Sequence, residues 1–158
     1  MSHTLQSVLE SGQEARIVQI DFSAAFDRVN HQEILYKLSS VGIKGSVLSV
    51  LTQFLSNRSQ YVLVYGCRSK LVNGKGVNLP LLSGVPQGSV FGLLLFLLFT
   101  SELFFILENK LNGYADDSTL IAVVPSPGVR VTIAEPLNCD LVRVDAWCDL
   151  WGMKLNAI

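Results

Sequence analysis

Hydrophobic and polar positions change period several times along the 158 residues, and each change marks an element. Leu5 to Glu14 is amphipathic at helical spacing. The run Ala15-Arg16-Ile17-Val18-Gln19-Ile20-Asp21 then reads as a strand ending in an acid. Phe22 to Asp27 leaves that strand as a turn. Asn30-His31-Gln32-Glu33 fits a capping box, with Asn30 as N-cap and Glu33 reaching back. It opens a helix through Leu38 that Gly42 stops, and a second helix is expected from Gly45 to Leu55. Apolar residues from Tyr61 to Tyr65, then Gly66, then Cys67 to Val72 predict a β-hairpin within Gln60 to Val72, and Asn73 to Leu82 reads as loop.

Ser83-Gly84-Val85-Pro86-Gln87-Gly88-Ser89 is so dense in glycine and proline that the backbone must turn sharply or admit a close neighbour. Val90 to Leu107 is almost wholly apolar and reads as a helix. Short apolar runs flank Gly113-Tyr114-Ala115-Asp116-Asp117-Ser118, the pattern of strand, tight turn, strand. Pro125-Ser126-Pro127-Gly128 breaks the chain. A helix over Val131 to Leu150 then carries Leu137, Leu141, Val144 and Cys148 on one face, and Trp151 to Leu155 begins one more strand. The order approximates β-α-β-β-α-β, an α+β fold with helices packed on one face of an antiparallel sheet. With no repeat or low-complexity linker, residues 1–158 read as one domain.

Composition narrows the class. Hydrophobic residues make up 49% and charged residues 16%, which excludes a disordered chain. A formal net charge of −1 counts against a broad nucleic-acid-binding surface. The N-terminal residues lack the basic and apolar regions of a signal peptide. Cys67, Cys139 and Cys148 show no paired spacing, so neither a disulfide framework nor a zinc site is indicated, and an intracellular protein with reduced thiols is expected. Val90 to Leu107 approaches the length of a membrane span, but Ser101 and Glu102 interrupt it. A buried core helix and no membrane partner are expected.

The candidate chemistry is acidic. Placing Asp116 beside Asp117 costs free energy that a bound cation would offset, although a solvated hairpin tip is the plainer alternative. The strand ending in Asp21 can lie beside that hairpin, so three carboxylates would meet at one sheet edge. Such a set suits two divalent cations separated by about 3.5–4 Å, and hard oxygen ligands suit Mg²⁺. The Gly-Val-Pro-Gln-Gly loop would bring its backbone or the Gln87 amide close to a base or sugar. Arg58, Arg68, Lys70 and Lys75 would meet a phosphate backbone or simply form a solvated face. Asp27 reads as a charge at a helix start, His31 as a bystander in a first helical turn, and Tyr114 as a packing residue.

Asp21-Phe22-Ser23-Ala24-Ala25-Phe26-Asp27, Ser83 to Ser89 and Tyr114-Ala115-Asp116-Asp117, in that order, resemble the palm of a non-LTR (LINE-type) retrotransposon reverse transcriptase. Phe54 to Gln60 and Trp151 to Asn156 are similar to those elements as well. The resemblance implies a polymerase palm-like split sheet and an RNA-directed DNA polymerase working on an RNA template, a DNA primer and dNTPs. It implies two Mg²⁺ ions, with Mn²⁺ as a substitute. Asp21 and Asp116 would be the principal ligands, the Phe22 carbonyl would lie close to the metals, and Asp117 would sit near the primer 3′ end. Phe26 matches the position that screens the nucleotide sugar, and Gln87 with Gly88 would contact the template or nascent base pair. The cytoplasm and nucleus are the compartments implied.

Two positions depart from the family pattern: Leu93 stands where proline usually follows Gly92, and the loop between Val72 and Ser83 is long. The fingers and thumb that grip substrates fall outside this stretch, so a partial domain, inactive alone, is expected. A non-catalytic palm remnant and a small membrane-associated protein are the alternatives.

Overall fold

Residues 3–56, 58, 63–68, 81–124 and 130–156 are described by the structure, a computed structural model. Its sheet has three antiparallel strands in the order β1 (Glu14–Ile20), β5 (Asp117–Val124), β4 (Lys110–Tyr114). The register pairs Glu14 with Val124 through Ile20 with Ser118, and Tyr114 with Asp117. Alternation sends Ile20, Leu120, Ala122, Val124 and Leu111 to one face, where all are buried in the main core. Ile121 points the other way and is buried outside that cluster, as is Val8 of α1 (His3–Glu10), which packs against β1. The helices therefore do not all share one face.

The core face is covered by α3 (His31–Ser40), α4 (Gly45–Leu55), α5 (Val90–Thr100), α6 (Leu103–Ile106) and α7 (Arg130–Leu150). Residues Ile34, Leu38, Leu55, Leu95, Phe96, Phe99, Leu103 and Val144 are at most 1% exposed. Burying each such side chain contributes about 1.5–3 kcal/mol before the entropy of ordering is set against it. The face expected of α7 is the buried one: Leu137, Val144 and Cys148 are buried and Leu141 packs beside them. Within α7, Pro136 lacks an amide hydrogen to donate to the preceding turn.

Several elements match the sequence pattern closely. Helix α4 has the expected bounds, and β2 (Leu63–Val64) pairs antiparallel with β3 (Cys67–Arg68) around Tyr65-Gly66. The rest of the expected hairpin and most of the 73–82 loop, with Lys70 and Lys75, lie outside the described residues. Asn30 caps α3, its side-chain oxygen accepting from the Gln32 and Glu33 amides at 2.8 and 3.4 Å. The reciprocal half of the capping box is missing. Glu33 Oε2 is buried with no hydrogen-bond partner, and burial pushes its carboxyl up while Lys37 pulls it down.

Two further expectations are corrected. Val90 to Leu107 is not one helix: it breaks at Ser101-Glu102 into α5 and α6. The break turns Glu102 toward Lys37, whose ammonium donates to Glu102 Oε2 and to the Phe99 carbonyl, both at 2.8 Å. The Trp147 indole also donates to Glu102, at 3.1 Å. The ammonium lies over the rings of Trp151, Phe99 and Trp147, at 3.7, 4.6 and 5.1 Å from their centroids. Among the described residues, no helix is long and apolar enough to cross a membrane. The second correction concerns Trp151 to Leu155. The chain turns at Gly152 and makes one bridge, Leu155 with Phe22, instead of a fourth strand.

Candidate active site at the sheet end

The hairpin that bears the acids is built locally. Ala115 takes the left-handed conformation, φ +55°, so that the chain reverses within Ala115-Asp116 and Asp117 starts β5. Continuing the β1–β5 register by one step sets Asp21 beside Asp117. Both are exposed, and both fall on the face opposite the main core. Asp116, on the turn, instead lines a neighbouring cleft. The three carboxylates thus share one end of the sheet. Among the described residues, no group of three or more histidine, cysteine or acidic side chains is close enough to hold a metal ion. The donors suit a hard divalent cation in kind, while their spacing leaves the set open.

The bridge to Leu155 fixes the backbone between these acids. The Ser23 amide donates to the Lys154 carbonyl at 2.7 Å, and the Asn156 amide to the Asp21 carbonyl at 2.9 Å. Successive carbonyls of an extended chain alternate sides, so the Phe22 carbonyl faces away from Leu155 and toward the β5 edge. The Phe22 ring is buried and tilts against Trp147, with centroids 6.1 Å apart. Asn156, to which the sequence assigned no part, also donates from its side-chain amide to Asp21 Oδ2 at 2.7 Å.

The cleft beside Asp116 has a volume of about 540 Å³ and is lined by Phe26, Gln87, Gly88, Ser89, Val90, Leu93 and Asp116. Phe26 reaches it from α2 (Ala25–Arg28) and is stacked on Phe96 at 4.7 Å. The 82–89 segment is fastened to the chain around α2 and α3. Val85 donates to the Phe26 carbonyl at 2.9 Å, Gly84 to the Val29 carbonyl at 2.9 Å, and His31 to the Leu82 carbonyl at 3.0 Å. The His31 ring lies 2.8 Å from the Gly84 carbonyl, so this residue ties the loop down, a structural part its sequence context does not reveal. Ser89 caps α5, accepting from Gly92 at 2.9 Å while donating to the Pro86 carbonyl at 2.8 Å. A Cβ on Gly92 would meet the Pro86 carbonyl oxygen at 2.1 Å, so any side chain there would push α5 and the 86–89 turn apart. Gln87 also borders a second cavity, of about 730 Å³, that contains Asp27 and Arg58. Arg58 bonds back to the Phe54 carbonyl at 3.2 Å.

Residues 1–157 match the family described as reverse transcriptase (RNA-dependent DNA polymerase), and the chain belongs to that family. It is 30% identical over 156 residues to the RNA-directed DNA polymerase from mobile element jockey of Drosophila funebris, a match covering 94% of this chain and 16% of that protein. It is 31% identical over 162 residues to the probable RNA-directed DNA polymerase from transposon BS of Drosophila melanogaster, covering 98% of this chain and 17% of that protein. The chain thus spans about a sixth of the length of the curated relatives it matches. The resemblance carried by the three motifs is borne out at the level of the family.

Proposed function

We propose that the chain is the palm of a non-LTR retrotransposon reverse transcriptase, joining a dNTP to a primer 3′-OH along an RNA template. The observation that carries this reading is the cleft itself: Phe26, Gln87, Gly88 and Asp116 come from three separate segments and line one cavity. Phe26, held by Phe96, is the rigid wall that a nucleotide 2′-OH would strike, favouring dNTPs. Gln87 and Gly88 would meet the template or the nascent pair, with a positive-φ glycine letting the backbone approach. Asp21 and Asp116, with the Phe22 carbonyl, would hold Mg²⁺ or Mn²⁺, and Asp117 would lie near the primer end. Bound there, the metals would lower the cost of charge on the attacking and leaving oxygens. What the chain itself supplies is placement of the reacting groups and exclusion of the wrong sugar.

The short span relative to the relatives supports a longer parent enzyme whose fingers and thumb complete the grip on substrates. One observation favours a second reading. The open spacing of the carboxylates fits a palm remnant that keeps the fold without the chemistry. Primer extension separates the two. The chain, set between the finger and thumb segments of a relative, is expected to extend a DNA primer on RNA and to stop when Asp116 becomes Ala. A folded chimera that holds primer–template and adds no nucleotide supports the remnant.

A further inference from the structure

We propose that Asn156 is a positioning residue that fixes the rotamer of Asp21 and presents one carboxylate oxygen to a divalent cation. The inference rests on the reading of Asp21 as a cation ligand and names a residue outside the three motifs. A carboxylate only accepts, so the Asn156 amide must offer its nitrogen, and it does so to Oδ2 at 2.7 Å. Both side chains are exposed, and an isolated bond of that kind would compete poorly with water.

The difference lies in how the donor is delivered. Asn156 is anchored by its own main-chain bond to the Asp21 carbonyl at 2.9 Å, two residues after the Lys154 carbonyl accepts from Ser23 at 2.7 Å. The segment is in turn seated by Met153, buried and bonded to the Cys148 carbonyl at 2.9 Å at the end of α7. The backbone that carries the amide is therefore held at Asp21, so only the Asn156 side-chain torsions are left to order. A neutral donor also suits the task, because it orients the carboxylate without cancelling the charge a cation needs. Lysine or arginine in its place would compete with the metal. Among the described residues, Asp21 Oδ1 has no hydrogen-bond partner.

The test uses the 158-residue chain, its Asn156→Leu variant and an Asp21→Asn control, each titrated with Mn²⁺ by electron paramagnetic resonance. Leucine keeps the size and the main-chain bond, so the melting temperature should hold while Mn²⁺ affinity falls about tenfold, as for other partners that orient a metal ligand. The Asn156 side-chain amide resonances of the metal-free chain should shift in the Asp21→Asn control. A parent that binds Mn²⁺ no more tightly than Asp21→Asn overturns the catalytic reading and this inference with it. A parent that binds Mn²⁺ while folded Asn156→Leu binds equally well overturns the inference alone.

Discussion

Removing Glu102 should destabilise the fold more than removing the lysine it faces. The Lys37 side chain is 7% exposed and that of Glu102 45% exposed. Glu102→Ala leaves a buried ammonium without its counter-charge, a loss of about 3–5 kcal/mol for a fully buried pair. Water reaches the outer side of Glu102, which reduces this to about 2 kcal/mol. The Trp147 indole then also lacks an acceptor, adding about 1 kcal/mol, for about 3 kcal/mol in all. Lys37→Met keeps the packing of the stem against three aromatic rings and removes the desolvated charge altogether. What remains is a Phe99 carbonyl, near the end of α5, short of a donor: about 1–2 kcal/mol. The double variant should cost no more than Glu102→Ala alone. Urea unfolding followed by tryptophan fluorescence measures all three, since Trp147 and Trp151 surround the site. Equal losses for the two single variants, or strict additivity in the double, would refute the reasoning.

Stability should rise with pH at both ends of the range that pair titrates, for opposite reasons. Burial pulls Lys37 below the ordinary lysine value of 10.5, with Glu102 and Glu33 restoring only part. The charged lysine therefore opposes folding, and this opposition fades as pH rises from the lowered value toward 10.5. Burial alone would raise Glu102, but the bonds from Lys37 and Trp147 and the Lys37 charge outweigh it and hold the carboxyl below 4.5. Its stabilisation is present above 4.5 and is lost as pH falls through the lowered value.

Other outcomes follow from single contacts. Asp140, 0% exposed, accepts from the Glu108 and Asn109 amides, the Asn109 side chain and Arg143, all at 2.8–2.9 Å. Asp140→Asn turns an acceptor into a donor facing donors and should cost about 3 kcal/mol in urea unfolding. Those bonds outweigh burial and hold the Asp140 carboxyl below 3.8, so the deficit should be full above 3.8 and shrink as pH falls through the lowered value. Gly92→Ala forces α5 away from the Pro86 carbonyl and should cost about 1–3 kcal/mol, with protease sensitivity rising at 86–89. In an active chimera, Phe26→Ala should raise rNTP incorporation relative to dNTP by at least tenfold, read by primer extension with each nucleotide alone.

What could be read from the sequence was what neighbouring residues decide. The hairpin at Ala115-Asp116, the Asn30 cap and the bounds of α4 all follow from turn chemistry, capping and helical spacing within a few positions. The cleft residues were legible because their motifs keep a recognisable order, although nothing local brings Phe26 to Gln87. The Val85 bond to the Phe26 carbonyl does that. Contacts between remote segments escaped. Ser101 and Glu102 mark the break after Thr100 in an otherwise apolar run, but the Lys37 that bonds Glu102 there comes from another helix. Trp151 to Leu155 has strand-like residues, yet among them only Leu155 forms a β-bridge, and Asn156 shows its use only once Asp21 lies beside it.

The central proposal is that Asp21, Asp116 and Asp117 would hold a cation at the sheet end. Mn²⁺ binding to the chain, set against an Asp116→Ala/Asp117→Ala double variant, tests it most directly. The parent should bind the ion and the variant should lose most of that affinity while keeping its helical circular dichroism. Equal, weak binding by two folded proteins would contradict the claim and leave a reverse-transcriptase fold without its chemistry.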